Sequence, residues 1–184
     1  MIVETIVSTR GPDGKPNFAP MGARIPEEGK ISLLVYHPTR TYKNLKAAHS
    51  CVINMVSDAR LFVLTTLYDH QPPHRMSAVA AGAIMDDAEK ALEFAVDRET
   101  EMEGKTEFTG HIIGSHETGT PPAGFCRAEG AVIEALIAVT RRGLLPAWEV
   151  ADQLRRSRII VEKTGGPIEI EAMRLIGEHW GKNV

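Results

Sequence analysis

The sequence predicts an α+β protein, mainly β, with a β-rich part over about residues 1–120 and a helical part over about residues 121–184. Three observations carry this. Short β-branched and apolar runs punctuated by Gly and Pro fill the first half. Composition shifts after Gly119, Pro121 and Pro122, and beyond them apolar residues recur at helical spacing.

Ile2–Thr9, Asn17–Arg24 and Ile31–Tyr36 read as strands of a meander. Gly11, Pro12, Asp13 and Gly14 supply the first connection, and Pro26 with Gly29 supplies the second, because these residues preset φ or tolerate left-handed backbone. Thr41–Ala48 offers a short helix with Leu45 and Ala48 on one face, and Cys51–Val56 resumes a β-branched strand. Leu61–Leu67 reads as another strand. The following YDHQPPHRM holds Pro72 and Pro73 and is expected to be a loop. Ser77–Met85 reads as a strand of small residues. Asp86 and Glu89 resemble a capping box for a helix over Asp87–Val96, where Ala88, Ala91, Leu92, Ala95 and Val96 keep helical spacing. The acidic run Asp97–Glu107 reads as a solvated edge or loop before a strand over Thr106–Ser115. In the helical part, Ala128, Val132, Ala135, Leu136 and Val139 mark a helix over Arg127–Arg142, stopped by Gly143. Pro146 opens a second helix, and Pro167 a third, on which Ile168, Ala172, Ile176 and Trp180 form a stripe.

A length of 184 residues suits one domain, or one domain with an appendage. Lys and Arg number 21 against 24 Asp and Glu, and the net charge of −3 speaks against nucleic acid or an anionic membrane as partner. The N-terminus reads as a strand and not as a signal peptide, and no apolar run reaches the length of a membrane span. Cys51 and Cys126 are too few for a disulfide framework, so a cytoplasmic setting is expected.

Candidate chemistry is sparse. His70 and His74 have the i, i+4 spacing of a helical metal pair, but Pro72 and Pro73 forbid that helix, so no metal site is expected. No G-x-G-x-x-G or Walker phosphate loop occurs. Cys126, ahead of a helix, is a candidate nucleophile or a small packing residue; Cys51 lies in an apolar strand. What remains is a polar constellation at strand ends. In Asn17–Gly22 (NFAPMG), Pro20 and Gly22 keep the backbone approachable. Thr39, Arg40 and Thr41 open a helix, combining hydroxyls, a guanidinium and free N–H groups suited to phosphate, with Asn44 one turn on. Asn54 interrupts the strand CVINMV, where a buried amide needs partners. Each residue also has a plainer reading: N-capping for Thr39 and Thr41, a surface ion pair for Arg40, and a backbone bond for Asn54.

The series ETIVSTRGPDGKPNFAPMG, TRTYKNL, VINMVSDARLF and RAEGAVIEALIAVTR resembles a prokaryotic family of unassigned function with the FMN-binding split β-barrel, related to flavin reductases and pyridoxamine-phosphate-oxidase-like proteins. The resemblance implies FMN as cofactor. By position it implies that Thr39, Arg40 and Thr41 contact phosphate, that Tyr42 belongs to the same element, that Asn44 and Asn54 support the ribityl or ring, and that Asn17, Ala19, Pro20, Met21 and Gly22 line the flavin face. It implies a homodimer with the flavin near the interface, and an oxidoreductase passing hydride between an electron donor and a small-molecule substrate. It leaves open a non-catalytic module that binds FMN or another heterocycle, with a link to pterin one-carbon metabolism. No catalytic residue is assigned; His37 and Cys126 are the groups that could approach the ring.

Overall fold

The computed structural model describes residues 1–25, 30–117, 124, 126–141 and 143–181. The expected turn at Pro26–Gly29 and the compositional boundary at Gly119–Pro122 lie outside the described residues. Backbone contacts divide the chain into two compact units, Val3–Phe125, and Met1–Ile2 with Cys126–Val184.

The first unit is a closed six-stranded barrel. Strands β1 (Ile2–Arg10), β2 (Pro16–Arg24), β3 (Ile31–Tyr36) and β4 (Ser50–Met55) are followed by the two-stranded β5 (His74–Met76) and β6 (Ala83–Met85), then by β7 (Lys90–Met102) and β8 (Lys105–Glu117). Barrel order is β1-β2-β3-β8-β7-β4, closed where β4 pairs antiparallel with β1 through Ile6↔Asn54 and Val7↔Ile53. Closure leaves the barrel itself without an open edge. Alternation follows from the pleat: along β3, Ile31, Leu33 and Val35 are buried while Leu34 and Tyr36 are exposed. The barrel core gathers Val7, Leu33, Ile53, Phe94 and Phe108, and Leu45 of helix α1 (Arg40–Ala48) joins it. Thr39 caps α1, its Oγ1 accepting from the Tyr42 N–H at 3.2 Å and donating to the Tyr36 carbonyl at 2.8 Å. Ala48, expected beside Leu45 on the buried face, is exposed.

Several elements differ from the sequence reading. Leu61–Leu67 is helical: α2 (Ala59–Leu67) buries Leu61 against Phe18, Val56 and Met85. A short apolar run fits either state, and tertiary packing decides. The expected helix over Asp87–Val96 is instead the start of β7, which pairs with β4 on one side and β8 on the other. Ala91, Leu92, Glu93 and Phe94 are buried in succession, as in a strand covered on both faces. The capping-box residues serve the strand entry, with the Glu89 N–H donating to the Met55 carbonyl at 3.0 Å. The acidic run is also ordered: Asp97–Met102 continues β7, and β8 begins at Lys105 after a turn through Gly104 (φ +70°). Of Ser77–Met85, only Ala83–Met85 is strand, pairing with β5, which itself ends the expected loop.

The second unit packs α3 (Arg127–Thr140), α4 (Ala147–Thr164) and α5 (Pro167–Gly181). Ala128, Ala131, Ala135 and Ala138 form the buried seam of α3, meeting Val150, Leu154 and Val161 of α4. Leu136, expected on the core stripe, is 45% exposed. On α5 the buried residues are Glu169, Met173 and Ile176, whereas Ile168 is 80% exposed; the stripe is rotated by one position at its start. Glu169 fixes that phase, because its Oε2 accepts the Gly166 N–H at 2.6 Å and holds the helix entry inward. No helix among the described residues is long and apolar enough to cross a membrane.

Candidate functional site

A groove of about 620 Å³ opens where the β1–β2 hairpin, one face of α1 and the turn before β6 come together. The hairpin contributes Arg10, Gly11, Pro12 and Asp13. Its turn closes by Gly11 N–H to Lys15 O at 3.0 Å and Gly14 N–H to Gly11 O at 3.0 Å, with Gly14 at φ +77° and the Asp13 carboxylate accepting the Lys15 N–H at 3.1 Å. Helix α1 contributes Arg40, Lys43, Asn44 and Ala47, the i, i+3, i+4, i+7 set of one helix face. Ala81 closes the wall.

The charge of this groove is lopsided. Arg10, Arg40 and Lys43 face it with no side-chain hydrogen bond or ion pair among the described residues, against the single carboxylate of Asp13. Three unpaired cations and one acid leave an excess of two positive charges, the complement of a phosphate monoester dianion. Two buried amides set the helix in place. Asn17 Nδ2 donates to Thr41 Oγ1 at 3.1 Å and Asn44 Nδ2 to Thr9 Oγ1 at 3.0 Å, tying α1 to β2 and β1.

Of the residues singled out from sequence, Arg40 and Asn44 line the groove. Thr39 is exposed and its hydroxyl is spent on the cap; Thr41 is buried on the inner side of the helix; Tyr42 lies tilted against His37 with ring centroids 4.0 Å apart. Consecutive helix residues point in different directions, so the side chains of Arg40, Thr41 and Tyr42 face different ways. Asn54 is fully buried, its Nδ2 donating to Ile6 O and Ala83 O, both at 3.2 Å, and its Oδ1 accepting the Met85 N–H at 3.0 Å. These are the backbone bonds of the plainer reading. The run Asn17–Gly22 divides by strand alternation. Met21 packs on the barrel core and Asn17 bonds α1, with Ala19 in the same phase; Phe18 packs on the α2 side, with half-buried Pro20 and Gly22 in its phase.

Sequence reasoning missed Arg10, Lys43 and Ala81. Lys43 had a signal, three residues after Arg40 on the same face, and Arg10 flanks a glycine turn. His37 is held elsewhere, its Nε2 at 2.8 Å from Thr106 Oγ1. Both cysteines are buried; burial pushes the Cys51 thiol up, and Cys126 Sγ packs 4.0 Å from Thr164 O. No group of three or more metal-ligating side chains occurs among the described residues.

The chain matches two family models, "Protein of unknown function (DUF447) N-terminal domain" over residues 3–118 and "Protein of unknown function (DUF447)" over residues 126–178. Among solved structures it is similar to the FMN-bound protein MM1853 from Methanosarcina mazei, itself assigned to DUF447. The two share 23% identity over 96% of this chain and 94% of that one, with a TM-score of 0.57. It is also similar to a flavoredoxin from Methanosarcina acetivorans (14% identity, 64% and 69% of the two chains, TM-score 0.56). A third likeness is to an FMN-binding protein from Thermus thermophilus (16% identity, 63% and 71%, TM-score 0.54). These likenesses show the fold, a split barrel followed by C-terminal helices.

Proposed function

Because the chain belongs to the DUF447 family, we propose that it is an FMN-binding flavoprotein whose cationic groove holds the FMN phosphate. The observation that carries this is the set of Arg10, Arg40 and Lys43 around one groove, none with a side-chain partner among the described residues. It fits a phosphate monoester in charge and FMN in room, and a solved member of the family is FMN-bound. Arg40 and Arg10 offer bidentate forks to phosphate oxygens, Lys43 a point charge. Half-buried Pro20 and Gly22 give a flat, side-chain-poor strand surface for a ring, and Ala19 and Met21 back that strand. Asn44 holds the helix and the hairpin together, and Thr39, Thr41 and Tyr42 shape α1 without touching phosphate.

Bound FMN would supply hydride chemistry, and the chain supplies binding and orientation. In this reading the protein is an oxidoreductase that exchanges hydride with a small molecule, working as a homodimer. The groove lining contains no histidine or cysteine among the described residues, which suits redox chemistry located on the cofactor.

The test is the visible spectrum of purified protein, repeated on the supernatant after denaturation, followed by titration of stripped protein with FMN. A flavin spectrum or saturable uptake is expected. A colourless protein that fails to take up FMN overturns the reading. Anaerobic mixing of the loaded protein with a nicotinamide donor then separates an oxidoreductase, which bleaches, from a binding module, which does not.

A further inference from the structure

The groove wall at Ala81 belongs to the turn Ser77–Gly82, and that turn is anchored by a buried carboxylate. Ser77 Oγ donates to Glu93 Oε1 at 2.6 Å, the length of a hydroxyl bond to a carboxylate, with the two residues 6% and 5% exposed. The same Oγ accepts the N–H groups of Val79 at 3.1 Å and Ala80 at 2.8 Å, and the Ser77 N–H donates to Gly82 O at 3.0 Å. At its far end the turn docks on the barrel. Ala81 N–H donates to Ser50 Oγ at 3.0 Å, and Ala81 O accepts the Arg10 N–H at 2.8 Å.

An acid inside a barrel wall is costly unless its oxygens are engaged. This sequence makes room for it. Glu93 sits at a register shift of β7, opposite Gly114, where an added Cβ would fall 1.9 Å from Glu93 Oε2. That second oxygen also faces His116 Nε2 at 3.3 Å. The acid, the glycine and the serine together lead to one place, the backbone that carries Arg10.

We infer that Ser77 and Glu93 are positioning residues of the groove: Glu93 holds Ser77, Ser77 holds the turn, and Ala81 fixes Arg10 at the phosphate. The inference rests on the FMN reading above. Neither residue lines the groove itself.

The experiment compares full-length wild type with Ser77→Ala, Glu93→Ala and Glu93→Gln, measuring dissociation constants for FMN and for riboflavin by flavin fluorescence, together with urea stability. Ser77→Ala and Glu93→Ala should weaken FMN about tenfold, the scale of one lost hydrogen bond. Riboflavin, which lacks the phosphate, should change less than about twofold. Glu93→Gln keeps an acceptor for Ser77 and should restore FMN binding. Should Glu93→Ala fail to fold, Gly114→Ala displaces the carboxylate without deleting it and should give the same FMN-selective loss. Parallel loss of both flavins with stability, or no loss at all, overturns the positioning role while wild-type FMN binding leaves the parent reading standing. Wild type that binds neither flavin overturns the FMN reading, and the positioning role falls with it.

Discussion

The Asn17 side-chain amide donates to Thr41 Oγ1 at 3.1 Å with both residues buried, so strand β2 grips the first turn of α1 from below. This bond sets which face of α1 is turned outward, and hence where Arg40, Lys43 and Asn44 stand. Asn17→Ala should lower unfolding stability by about 1–2 kcal/mol, because it leaves a buried hydroxyl short of a partner. Thr41→Val should cost a similar amount, and the double variant less than the sum. Urea denaturation measures all three. Strict additivity would show that the two groups do not interact.

Asn54 makes a sharper case. Its amide satisfies the carbonyls of Ile6 and Ala83 and the N–H of Met85, fastening β1, β4 and β6 together. Asn54→Leu should cost about 2–4 kcal/mol, since it strands three buried backbone groups. Asn54→Asp cannot donate to either carbonyl while ionised and should cost at least as much. Any variant that still folds should bind FMN with nearly unchanged affinity. Collapse of FMN binding in a folded Asn54 variant would return this residue to the flavin site.

How much of this was legible in the sequence depended on how local each determinant is. The hairpin at Gly11–Gly14 and the cap at Thr39 act within four residues of themselves, so β1, β2 and α1 could be placed. The identity of β7 was not local: Ala88, Ala91, Leu92 and Ala95 keep a helical spacing, and only the ladders to β4 and β8 make the segment a strand. The same limit governs the site. Arg40 and Asn44 share a helix face, which spacing alone shows; Arg10 joins them in the groove only once the chain is folded, and the partners of Asn54 lie 48 and 29 residues away. The phase of α5 turned on Glu169, a charged residue that a search for apolar stripes passes over.

In the helical unit, Asp152 accepts from Arg155 at 2.7 Å and lies 2.6 Å from Arg156, and these guanidiniums hold its carboxyl below the usual range. A carboxyl whose folded pKa is depressed adds stability that is present above its unfolded pKa and fades as pH falls through the folded value. Asp152 is only half-buried and both arginines are exposed, so the contribution is small and salt-sensitive. Side-chain carboxyl NMR should find Asp152 titrating below an ordinary aspartate, and Arg155→Ala with Arg156→Ala should return it to the ordinary range. A normal titration in the wild type would show that the pair does not persist in solution.

Gly82 lies where the turn meets the barrel. A Cβ there would fall 2.5 Å from Ser8 O and 2.8 Å from Val52 N, both backbone atoms that cannot swing aside. Gly82→Ala should therefore destabilise by about 1–3 kcal/mol, as overpacking does, and should also disturb the Ala81 wall. Thermal unfolding with FMN titration checks both. A variant as stable as wild type would mean that the turn can lift away from β1 and β4.

The groove's excess charge predicts opposite signs for two substitutions. Arg40 has no side-chain hydrogen bond or ion pair among the described residues, so Arg40→Ala removes no such bond there, and stability should stay within about 0.5 kcal/mol of wild type. FMN should loosen by about 1.5–3 kcal/mol, the worth of a hydrogen bond to a charged group. Lys43→Ala and Arg10→Ala should follow in the same direction, and riboflavin should ignore all three. Asp13→Asn deletes the one opposing carboxylate but keeps an oxygen for the Lys15 N–H, so it should tighten FMN and leave riboflavin unchanged. Added salt should weaken FMN binding to wild type and narrow these differences, because exposed charges are screened. Fluorescence titration at two ionic strengths decides the matter. Unchanged FMN affinity in Arg40→Ala, or weaker binding in Asp13→Asn, would show that the phosphate does not sit among these cations.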